Sequence, residues 1–181
     1  KFMIILTVYA SVVTILNVYF FEDYLAIDTV FFSLIGVILS LFLVFRLNSA
    51  YDRWWEGRKL WGKLVNDSRT LALNLNALLP EDDRKRRRFF VRNMSNFALS
   101  LQNHLRDKDS IDEFIHINSR YADDLMTADH VPNRVVSFMY TEIENMHKEG
   151  MITDMDKHRL FERLQGFVDV LGACERIKKT P

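Results

Sequence analysis

Cysteine, proline and glycine are scarce in these 181 residues: one Cys, three Pro and six Gly. A lone cysteine, Cys174, can form neither an internal disulfide nor a cysteine-based zinc site. With so few breakers, the chain reads as long helices. No segment sustains an alternating apolar–polar pattern, so no sheet is expected and the fold class is all-α. An excess of charge is missing too. Lys plus Arg equals Asp plus Glu at 24 each, which gives no net field to draw in nucleic acid or an acidic partner. Catalytic and cofactor signatures are also absent. H-E-x-x-H, the P-loop, G-x-S-x-G and G-x-G-x-x-G do not occur. The histidines at 104, 116, 130, 147 and 158 never stand four apart. Asp123, Asp124 and Asp129 lack the spacing and central glycine of an EF-hand. The sequence therefore predicts no enzyme, no cofactor and no metal site.

What is present is very uneven. Residues 2–21 are twenty uncharged residues in a row, and the only charges before Arg46 besides Lys1 are Glu22, Asp23 and Asp28. A helix of twenty residues covers about 30 Å, the thickness of a bilayer's hydrocarbon core. Residues 29–45 form a second, shorter uncharged run. No firm breaker follows it until Pro80, so its helix is expected to continue to about Leu79. Arg46 at a bilayer centre would cost roughly 2.5–3.5 kcal/mol, which places it at the membrane edge or on an aqueous path. All three tryptophans, Trp54, Trp55 and Trp61, follow within fifteen residues of Arg46. An indole at the headgroups buries its ring and wets its N–H. We expect Arg53, Trp54 and Trp55 to pin the helix at the interface, and Glu56, Arg58 and Trp61 to pack into the bundle below as partly desolvated groups.

Charge sets the orientation. The connection between the spans is acidic, whereas Arg46, Arg53, Arg58, Lys59 and Lys63 follow the second span. The positive-inside rule puts the hairpin tip outside and the chain after Phe45 in the cytoplasm of a cell-membrane protein. Two parts are expected: membrane helices over 1–55 and a cytosolic helical bundle over 56–181. In the bundle, Pro80 with Glu81, Asp82 and Asp83 opens a helix, and the basic run Arg84–Arg88 reads as its solvated first turn. Ser110 and Glu113 form a capping-box pattern. Further helices are expected over 132–148, ended by Gly150, and over 154–178. On the second span, Val37, Leu41 and Phe45 recur every four residues and share a helix face.

The stretch 42–72, "FLVFRLNSAYDRWWEGRKLWGKLVNDSRTLA", together with 172–181, "GACERIKKTP", resembles the bestrophin family, especially its bacterial members. The resemblance covers essentially the whole chain and implies two further spans beyond Pro181, so the chain reads as truncated. It also implies a homopentameric ion channel in the bilayer with monovalent ions as its cargo. Val37, Leu41 and Phe45 would then form the apolar pore neck, with Val and Leu where the family favours Ile or Phe. A second, cytosolic aperture would fall at Ile152. Without the resemblance, a membrane-anchored helical scaffold or sensor that recruits a protein partner would rank level with the channel.

Overall fold

The computed structural model describes residues 2–20, 29–108, 113–115 and 119–180. Among them six helices run in order: α1 (Phe2–Phe20), α2 (Thr29–Leu78), α3 (Arg84–Leu105), α4 (Ser119–Met126), α5 (Val131–Lys148) and α6 (Asp154–Lys179). No strand occurs among the described residues. The all-α expectation holds. The acidic residues Glu22, Asp23 and Asp28, together with Ser110 of the capping-box pattern, lie outside the described residues.

The chain divides into two compact units, residues 1–51 and 52–181. The first holds α1 and the N-terminal part of α2. Each is long and apolar enough to cross a membrane, and neither apolar stretch buries any residue among the described residues. Polar side chains in these helices are satisfied locally. Thr7, Ser11 and Thr14 donate to carbonyls one turn back at 2.8–2.9 Å, and Ser40 donates to the Gly36 carbonyl at 2.7 Å. Such back-bonding lets hydroxyls sit where no water is available.

The second unit is a helical bundle with its own core. α2 contributes Leu64, Leu71 and Leu75 at near-heptad spacing, and Leu79 joins them just past its end. α3 adds Phe90, Phe97 and Leu101, α5 adds Val135, Met139 and Ile143, and α6 adds Leu160, Leu164 and Phe167. The Phe97 and Phe167 rings meet at 5.0 Å between centroids, both fully buried. Helix ends are closed by side chains. Thr153 and Asp156 form a reciprocal capping box at the start of α6, which satisfies two otherwise orphaned N–H groups. Gly150, at φ 73°, makes the left-handed turn that ends α5. Gly166 leaves room for a neighbouring side chain. A Cβ there would overlap the Asp67 carboxylate and come 3.0 Å from Lys63 Nζ.

The basic run Arg84–Arg88 differs from expectation. Residues 80–83 precede the helix, and α3 starts at Arg84 with Asp83 as its N-cap. Arg84, Lys85 and Arg88 are exposed, but the two residues between them are structural. Arg87 donates to the carbonyl of Leu79 at 2.7 Å and to Asn76 Oδ1, closing the end of α2. Arg86 reaches Glu142 at 2.8 Å, Glu149 at 2.6 Å and Asp83 at 3.1 Å. Burial disfavours its charge. The hydrogen bonds to Glu142, Glu149 and Asp83 outweigh that and hold the guanidinium pKa above its usual value. A charge run reads as solvated in sequence because two of the acids that engage it, Glu142 in α5 and Glu149 at its C-cap, lie more than fifty residues away.

Candidate functional site

In the first unit, Val37, Leu41 and Phe45 stack along α2 and are 58%, 54% and 66% exposed. Phe42, about 100° around the helix, is 64% exposed, so exposure alone does not single out a face. What distinguishes the three is register. They recur at i, i+4 and i+8, and the last directly precedes Arg46. The helix is apolar on all sides here and none of its residues is buried among the described residues. Such a surface is stable only against lipid or against other apolar protein segments.

In the second unit, Arg53, Trp54 and Trp55 are exposed, with the two indoles 6.0 Å apart between ring centroids. Glu56 accepts a hydrogen bond from Arg176 Nη2. That bond joins the tryptophan block to the C-E-R-I block, two stretches 120 residues apart. The pair is less buried than the sequence suggests, with side-chain exposures of 40% for Glu56 and 67% for Arg176. A pair this wet contributes about 0–1 kcal/mol rather than the several of a fully desolvated one. Glu56→Ala should therefore lower stability by no more than about 1 kcal/mol, read as a small shift in denaturation midpoint at unchanged m-value. A loss several times larger would show that the pair is buried in the assembled protein. Arg58 and Trp61, expected to pack into the bundle, are exposed on this chain, because the α2 stripe that enters the core is the one through Leu60 and Leu64.

Ile152 lies in the turn between α5 and α6, as its sequence position indicates. Its side chain is 6% exposed and belongs to the core cluster. A residue lining a passage must project from its own chain. In this conformation of the single chain Ile152 packs into the core.

Three polar residues that the sequence does not associate come together in the second unit. His104 near the end of α3, His130 at the N-cap of α5 and Glu175 late in α6 converge on one point. The two His Nε2 atoms lie 2.7 and 2.9 Å from the same carboxylate oxygen, Glu175 Oε1. Their rings are 4.5 Å apart. The His130 hydrogen bond, followed by the His104 one, holds the Glu175 carboxyl below its usual pKa against the opposing effect of burial. No spacing rule could have found this set, since each member comes from a different helix.

Residues 1–181, the whole chain, match the family model described as bacterial/fungal bestrophin protein. The chain belongs to the bestrophin family. Among curated relatives of this bestrophin, a voltage-dependent anion channel-forming protein of Mesorhizobium japonicum is 33% identical over 174 residues, covering 96% of this chain and 56% of the relative. The similarly named YneE of Escherichia coli K12 is 32% identical over 151 residues, covering 83% and 49%. Among solved structures, a point-mutated bacterial bestrophin homologue from Klebsiella pneumoniae superposes with a TM-score of 0.87 at 28% identity, over 99% of this chain and 69% of that one. The chain thus spans about half the length of the curated relatives it matches. The resemblance carried by the tryptophan and C-E-R-I blocks is borne out, and the Glu56–Arg176 bond gives those two blocks a physical link within the bestrophin fold.

Proposed function

We propose that this chain is the membrane and cytosolic part of a pore-forming subunit in a pentameric ion channel. Five copies of α2 would surround one pore, with Val37, Leu41 and Phe45 forming its hydrophobic neck. The observation that carries this reading is the run of α2 from residue 30 to Arg46, apolar on every side and with no residue buried among the described residues. Family membership and relatives named as voltage-dependent anion channel-forming proteins support conduction as the activity. An apolar ring offers a crossing ion no replacement for its water, so it acts as a gate by dewetting rather than as a binding site. It also carries no charge with which to choose the sign of the ion. Monovalent ions are the proposed cargo, and selectivity must arise from charged surfaces elsewhere. The basic residues Arg46, Arg53, Arg58, Lys59 and Lys63 after the second span support a reading with the second unit in the cytoplasm and the spans in the cell membrane.

The test is flux through the full-length protein reconstituted in liposomes, with chloride and potassium gradients imposed separately. Dissipation of either gradient faster than in protein-free vesicles is expected, and which one dissipates gives the sign of selectivity. Vesicles that hold both gradients, with the protein inserted and its oligomer intact, would contradict the channel reading.

A further inference from the structure

The cytosolic bundle carries a feature that ion conduction through a neck does not call upon. His104, His130 and Glu175 present three ligand atoms all within 4.8 Å of one another. Two imidazole nitrogens and one carboxylate oxygen form the donor set of open-coordination zinc sites, with the fourth position left to water. Calcium and magnesium instead demand shells made of oxygen. The side chains are 35%, 30% and 25% exposed, so an ion from solvent can reach them. His104 also borders a cavity of about 340 Å³ shared with Ser100, Asn103 and Asp129. The nearby cation Lys178 is engaged, pairing with Asp107 and donating to the His104 carbonyl.

We infer that His104, His130 and Glu175 form a binding site for a zinc-like divalent transition metal, which ties α3, α5 and α6 together. Without metal the three residues hold each other by hydrogen bonds. His130 Nδ1 accepts the Asn133 N–H at 3.4 Å, which leaves the proton on Nε2, pointed at Glu175 Oε1. Binding replaces the Nε2–H groups with metal bonds of about 2.0–2.2 Å. The donor atoms must then spread from 2.7–2.9 Å to about 3.3 Å, the edge of a tetrahedron of that size. A neutral imidazole that ligates through Nε2 carries its proton on Nδ1. His130 therefore gives up its hold on the Asn133 N–H, a long bond and the weakest in the set. The Nε2 proton moves to Nδ1, so a neutral imidazole takes the ion without net release of a proton.

The test uses the full-length protein in detergent after treatment with a chelator. Co2+ serves first, because three protein ligands and a water give an intense tetrahedral visible band that a weak surface complex does not. One Co2+ per subunit with that band, displaced by one equivalent of Zn2+, is expected. Zn2+ at about 100 times its Kd should raise the thermal midpoint, since a ligand that binds only the folded state multiplies the folded population about 100-fold. Mg2+ and Ca2+ at equal concentration should leave the midpoint unmoved. His104→Gln and Glu175→Gln should each weaken Zn2+ binding at least tenfold. His147 and His158 pair with Asp154 and Glu162 elsewhere in the bundle, so Zn2+ binding that survives both substitutions undiminished belongs to other histidines and overturns the site. Should a variant fail to fold, the parent alone decides: a folded parent that shows no tetrahedral Co2+ band contradicts the inference.

Discussion

Replacing Val37, Leu41 and Phe45 together with alanine should raise ion flux through the full-length protein by about tenfold or more, with the oligomer preserved. A tenfold rise corresponds to about 1.4 kcal/mol removed from the barrier. The reasoning is geometric. Stacked at i, i+4 and i+8, these residues extend along about 12 Å of helix, at 1.5 Å of rise per residue. Repeated around a ring, they would make a dry passage in which an ion sheds water and gains no ligand. Alanine widens the passage and shortens its dry length, so water re-enters and the barrier falls. A lipid-facing stripe responds differently, because trimming it changes packing and opens no path. Phe42 supplies the control. It is as exposed as the three in the single chain but turned about 100° away. Phe42→Ala should alter stability more than flux. Flux unchanged in the triple variant and raised in Phe42→Ala would place the pore on the other face of α2.

The second large effect is on folding. Arg86→Ala should destabilise the protein by about 2–3 kcal/mol, somewhat below the 3–5 kcal/mol of a fully buried pair. Arg86 is 20% exposed, and its partners Asp83 and Glu142 are 16% and 21% exposed. Removing the guanidinium leaves three carboxylates facing one another with no cation between them. Glu149, at 51% exposure, can turn to water, but the other two cannot do so fully. The effect depends on pH. The backbone N–H of Arg86, and then its guanidinium, hold the Asp83 carboxyl below its usual 3.8. A depressed carboxyl contributes stability above its unfolded pKa and loses it as pH falls through the folded value. The gap between parent and variant should thus be full near neutrality and narrow in acid, below about pH 4. Thermal unfolding across pH checks this, with Arg88→Ala as an exposed control expected to stay within about 0.5 kcal/mol. An Arg86→Ala midpoint indistinguishable from that of Arg88→Ala would show the network to be solvated after all.

These two predictions rest on different kinds of legibility. The apolar runs, the unbroken helix through Arg46 to Pro80 and the share of Leu64, Leu71 and Leu75 in the core were all readable, because each is a local pattern of hydropathy and breakers. Helix starts at Pro132 and Asp154 were readable to within a residue for the same reason. α4 was legible only in part: the Ser110 capping box reads as the start of a short helix and Asp123 and Asp124 as a helix end and a loop, whereas the helix runs Ser119–Met126. Asp123 and Asp124 give its eight residues the composition of a loop, and the helix is anchored by tertiary burial of Leu125 and by Tyr121 stacking against Phe138 at 4.6 Å. Arg86 and Arg87 could not be told from their exposed neighbours, since the distinction is made by Glu142 and by the open end of α2. The His104, His130 and Glu175 cluster was invisible for a stronger reason: its members are 71 and 45 residues apart along the chain and meet only when three helices pack. The Glu56–Arg176 bond falls between these cases. Both blocks stood out in sequence, but their contact and its wetness did not.

The central claim is that copies of α2 close around a shared axis, and subunit number tests it most directly. A pore of this kind needs a symmetric ring, whereas a membrane-anchored scaffold most often pairs as a dimer. Native mass measurement of the full-length protein in mild detergent gives the count without assuming which face of α2 is inside. One species of five subunits is expected. A monomer or a dimer as the sole species, in detergent that preserves the fold, would contradict it.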